Sequence, residues 1–190
     1  VSARNAKEFI ELMKKNPGKY NFASAGSGTV HHLAGELFKI QTGTFITHIP
    51  YRGAGPAMND LLAGQIDLEF DGLATSAPQI NAGKLVAIAV ASSKRSTAIP
   101  NVPTFKEAGL PDYEVSTWYS VFAPAGTPKP IVDKMIAEVQ KALNNPKLKS
   151  IWEKNGSDTP NLYGDAFGKQ VSADVARWSA VVKKSGAQLD

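Results

Sequence analysis

Short apolar runs of strand character alternate with amphipathic helical runs between residues 20 and 91, and this alternation constrains the fold more than any other feature. A strand at 20–24 leads into a helix at 30–41. A strand at 45–49 passes through PYRGAG into a helix at 56–63, and one at 66–70 passes through DGLAT into a short helix at 75–82. LVAIAVAS supplies a further strand at 85–91, and a helix at 2–15, capped by Ser2 or Asn5 and closed by Pro17-Gly18, precedes the series. Strands joined by helices imply right-handed crossovers and a mainly parallel sheet flanked by helices, an α/β fold.

After residue 95 the pattern changes. A proline-punctuated connector at 96–112 precedes an aromatic extended segment at 115–122, read as a crossing strand. Helices follow at 129–143, 146–154 and 163–185. Their apolar stripes (Ile131, Met135, Ile136 and Val139; Phe167, Val171, Val175, Trp178 and Val182) have no neighbouring strands to cover. They require another surface.

The first strand-to-helix turn is the chemically suggestive one. Ala25-Gly26-Ser27-Gly28-Thr29 allows positive φ and close backbone approach, and Thr29 is placed to cap a helix opening at Val30. Amides at a helix N-terminus favour an anion, and the donor set suits a carboxylate as well as a phosphate. Neither GxxxxGK[ST] nor GxGxxG nor GxSxG is present, so a P-loop, a dinucleotide fingerprint and a nucleophile elbow are all excluded by the letters. An ordinary connection without a ligand stays open beside the anion site. Tyr51-Arg52-Gly53 and Asp71-Gly72 end the next two strands, so three strand ends converge where open α/β sheets bind ligands. Asp71 suits either an ammonium or hydroxyl of a ligand or a helix cap.

Other chemistry finds little support. His31, His32 and Glu36 invite a metal reading because His32 and Glu36 share a helix face, but no third ligand accompanies them and HExxH is missing. We expect no cofactor, no metal and no catalysis. There is no cysteine, which removes disulfides and thiolate sites, and the net charge of +4 is dispersed among 17 acids, which argues against a nucleic-acid stripe. No apolar run approaches the roughly 20 residues of a membrane span. Because the chain opens at Val1, a processed or truncated product is expected.

Several spaced blocks resemble one family. NPGKYNFASAGSGTVHHLAGELF, HIPYRGAGPAMNDLLAGQIDLEFD, GKLVAIAVAS, RSTAIPNVPTFKEAGLPDYEVSTWYSVFAPAGTPKPIV and RWSAVVKKSG are similar to the Bug, or TctC, substrate-binding proteins of tripartite tricarboxylate transporters, over nearly the whole chain. The resemblance implies a periplasmic, non-enzymatic binding fold of the type II class that closes around a small carboxylate and serves membrane transporter components. It also implies ligand contacts from Ser24, Ala25, Gly26, Ser27, Gly28 and Thr29, with Tyr51 and Asp71 beside them. The family's N-terminal segment has no counterpart here. Residues 1–112 are accordingly expected to form the second, ligand-binding domain, and 113–190 a crossing strand and helices of an incomplete first domain, with a homodimer covering the leftover faces. An effector-sensing domain of a transcription regulator, or a small enzyme using His31 or His32, are the alternatives from other classes. The first requires a DNA-binding extension, the second turnover.

Overall fold

The computed structural model describes residues 1–159 and 161–187; residue 160 and residues 188–190, part of the unit expected at 113–190, lie outside the described residues. Helix α1 spans Ala6–Lys15. Asn5, not Ser2, caps it, its side chain accepting from the Glu8 amide at 2.9 Å. The helix buries Ala6, Phe9 and Met13, and Lys14 and Lys15 lie in its last turn, where cations suit the dipole.

Three parallel strands follow, β1 (Asn21–Ser24), β2 (Thr47–Pro50) and β3 (Leu68–Glu69), in the spatial order β2-β1-β3. The crossovers are helices α2 (Val30–Thr42) and α3 (Ala54–Leu62), and α4 (Leu73–Asn81) leaves the far end of β3. β1 is central. Phe22, Ala23 and Ser24 on it are fully buried, and the register pairs Ala23 with Ile49 on one side and Glu69 on the other. Such a strand, covered on both faces, reads as a near-continuous buried run.

Helix α2 lies close on this strand because of Gly35. A Cβ there would come within 2.3 Å of the Phe22 ring, so only hydrogen lets the two backbones approach. Phe38, one turn on, is fully buried among Phe9, Phe70, Phe105 and Tyr113. The Tyr113 hydroxyl donates to the Ala34 carbonyl at 3.0 Å, which satisfies its one polar atom inside the core. Gly43, in the left-handed region at φ 64°, ends α2.

Two expected strands are not laddered. Residues 85–91 make one parallel bridge, Val90 with Thr104, built from the Val90 amide to Pro103 and the Phe105 amide to Val90. Pro100 and Pro103 lack the donors a longer pairing would need. Residues 115–122 pair with no strand among the described residues; the Val115 amide reaches Ala91, and beyond it Tyr119, Val121 and Phe122 are exposed. A strand needs a neighbour for its amides, and none flanks this one.

Helices α5 (Lys129–Leu143), α6 (Pro146–Lys154) and α7 (Gly164–Ser185) form where the periodicity places them. α5 and α6 have no buried residue, whereas α7 packs against α2 and buries Val181, with Trp178 against the same core. The segment after the connector is tied to α7 by a Trp118 indole hydrogen bond to Asp174 at 2.6 Å and by Trp118 and Phe122 against the Phe167 ring.

Candidate functional site at the strand ends

The register that pairs Ser24 with Pro50 and Ala23 with Glu69 continues to set Ala25, Tyr51 and Asp71 level at one edge of the sheet. The Tyr51 amide to Ser24 and the Gly53 amide to Ala25 extend the ladder past β2. Three of the expected contact positions are thus brought together by strand pairing alone.

The turn between β1 and α2 is closed on itself. Ser24 Oγ accepts from the Gly26 amide at 3.1 Å and contacts His48 Nε2 at 2.6 Å. Thr29 Oγ1 donates to the Gly26 carbonyl at 2.7 Å and accepts from the His32 amide at 3.5 Å, completing the cap. The Gly28 amide donates to His32 Nδ1 at 3.1 Å. Gly26 and Gly28 both have positive φ, 137° and 75°, which a side chain would strain. The amides of Gly26 and Gly28 thus already have partners within the turn. The amides of Ser27, Val30 and His31, and the Ser27 hydroxyl, have no acceptor or donor partner in the turn among the described residues. These are the groups left to meet an anion.

Behind the turn lies a polar stack that sequence spacing does not disclose. His32 and His48 are parallel with ring centroids 3.8 Å apart, His32 Nε2 lies 3.7 Å from Glu36, and Lys39 pairs with Glu36 at 2.7 Å. This group holds the turn in place from below; His31, His32 and Glu36 do not converge as a metal triad. Tyr51 packs against Ala23, Ala57 and Ile66, and its hydroxyl donates to Asp60 at 2.7 Å, so the phenol is engaged before any ligand arrives.

On the opposite flank, His31 Nδ1 stands 3.8 Å from Asp71 Oδ1, while Asp71 Oδ2 accepts from the Thr75 hydroxyl at 2.6 Å. Glu69 is the neighbour that sequence reasoning missed. Its signal is present: Asp67, Glu69 and Asp71 recur with the period of two that puts acids on one side of a strand. Burial, with Asp71's charge adding to it, pushes the Glu69 carboxyl up to about 8. Burial lowers His31, and Asp71 partly offsets this, so the imidazole is held toward its neutral form.

The sequence matches the tripartite tricarboxylate transporter family receptor, TctC, over residues 1–187. It is 38% identical over 184 residues to a UPF0065 protein in the tcbD-tcbE intergenic region of Pseudomonas sp. (strain P51), covering 94% of this chain and 54% of that one. Among solved structures it is similar to R. palustris Rpa4515 with adipate, at TM-score 0.89 and 31% identity over 100% of this chain and 64% of the other. The periplasmic binding protein BugD superposes at TM-score 0.87 and 38% identity, again over 100% and 64%. The chain therefore spans about half to two thirds of the length of these relatives. With a parallel sheet flanked by helices, a strand-end turn shaped by two positive-φ glycines and a match along almost its entire length, this chain belongs to the TctC family of tripartite tricarboxylate transporter receptors.

Proposed function

We propose that this chain supplies one wall of the binding site of a periplasmic solute-binding protein, which captures a small carboxylate and delivers it to the membrane components of a tripartite transporter without chemical turnover. The observation that carries the reading is the turn at 24–29: free amides at the start of α2, a hydroxyl from Ser27 and no lysine, in a chain whose structural neighbour was solved with adipate. Ser24, Gly26, Gly28 and Thr29 shape the turn, Ser27 contacts the carboxylate directly, and Ala25, Tyr51 and Asp71 line the level beside it, with ordered water filling between. The exposed Ile131, Met135, Ile151 and Val175 support a homodimer of this chain as the accompanying assembly, which sedimentation at micromolar concentration reads directly.

Calorimetry of the chain against adipate, citrate, glutamate and ATP tests the reading. A carboxylate is expected to bind and ATP not; preference for ATP overturns it. Gly28→Val, which places a branched side chain at φ 75°, is expected to weaken carboxylate binding at least about tenfold. Unchanged affinity would put the site elsewhere.

A further inference from the structure

The three side chains His31, Glu69 and Asp71 are drawn together by two elements distant in sequence, the first turn of α2 and the end of β3. One ligand atom from each lies within 4.8 Å of the others. Four of their polar atoms are buried without a hydrogen-bond partner: His31 Nδ1, both Glu69 oxygens and Asp71 Oδ1. The Asp71 side chain is only 4% exposed. Buried polar atoms are almost always satisfied, and an orphan carboxylate is costly. Three side chains this close, each with a buried unpartnered atom, call for a shared partner.

One metal ion can take an imidazole nitrogen and two carboxylates at once. We propose that His31 Nδ1, a Glu69 carboxylate oxygen and Asp71 Oδ1 form a binding site for a divalent cation of the zinc class. One imidazole with two carboxylates is a borderline donor set, and three protein donors are the number that an open zinc-type shell takes from the protein. Calcium and magnesium prefer more oxygens and no nitrogen. In a tetrahedral shell with bonds of about 2.0–2.2 Å the donors stand roughly 3.4 Å apart. The His31 to Asp71 separation of 3.8 Å is already near that, and contraction of the cluster supplies the rest. The support around the donors is also in place, because the Thr75 hydroxyl bonds the second oxygen of Asp71 and aims Oδ1 inward.

Asp71 belongs to both this site and the proposed carboxylate wall, so the metal is titrated alone first. The chain, stripped with a chelator and held in a carboxylate-free buffer, is titrated with zinc chloride by calorimetry and melted with and without the metal. One zinc per chain and a raised Tm are expected. Glu69→Gln, which keeps the shape of the side chain, and His31→Gln should each weaken zinc at least about tenfold and abolish the Tm rise. Thr75→Val should weaken it by about tenfold through the orientation of Asp71. No zinc binding, or zinc binding unaltered in a folded Glu69→Gln chain, overturns the site. Adipate titrated afterwards, with and without zinc, reads the proposed function separately: loss of adipate binding in both conditions refutes that function and leaves the metal result standing.

Discussion

The chain up to residue 115 and the chain beyond it obey the same helical periodicity and end with opposite burial. α1 and α2 turn Phe9, Met13 and Phe38 into a common core with Phe22 and Ile46. α5 and α6 carry equally clear apolar stripes and bury nothing, leaving Ile131 51% and Ile151 46% exposed. Of the helices beyond residue 115, α7 reaches that core, through Val181 and Trp178. Periodicity thus states which face of a helix seeks cover, while sheet pairing decides whether cover exists.

The contrast is open to direct attack by substitution, read as changes in denaturant midpoint. Phe22→Ala, at the fully buried centre of β1, should cost about 3–5 kcal/mol; a loss below about 1 kcal/mol would mean that the first region is not the seat of stability. Gly35→Ala drives a methyl into the Phe22 ring and should cost about 1–3 kcal/mol, unless α2 slides away, in which case the spacing of helix and sheet is softer than the 2.3 Å approach implies. Thr29→Ala removes the cap of α2 and its bond to Gly26, with an expected loss of about 1 kcal/mol; no change would show that the turn keeps its shape without the hydroxyl. Ile131→Ala on α5 sits at the other end of the scale, within about 0.5 kcal/mol for the isolated chain. A cost above about 2 kcal/mol there would sharpen the comparison differently, by revealing that a second copy covers the face in solution.

The legible part of the fold follows from the same division. The β1-turn-α2 unit could be read almost to the residue, because Thr29 is a strong cap, the two glycines permit the turn and Phe22, Leu37 and Phe38 carry clean periods. The strand at 85–91 could not, because its apolar letters fit a buried strand while the partner segment lacks donors at Pro100 and Pro103. At the site, strand ends predicted the level of Ala25, Tyr51 and Asp71. Which amides remain open was hidden, since it depends on side chains 24 residues apart: Ser24 meets His48 only because parallel pairing sets β2 beside β1. Glu69 was overlooked for the related reason that the alternating acids Asp67, Glu69 and Asp71 gain meaning only when His31 arrives beside the last two.

The closed turn at 24–29 has an energetic consequence for recognition. Its backbone is fixed by internal bonds, among them those from the Gly26, Gly28, Thr29 and His32 amides and from the Thr29 hydroxyl, so little conformational entropy is left to lose on docking a ligand. A loop that must order itself on contact can mould to many shapes, at an affinity penalty for each residue immobilised. This one cannot mould. On the proposed function, its discrimination comes from the fit of the ligand's own dimensions to donors already in position.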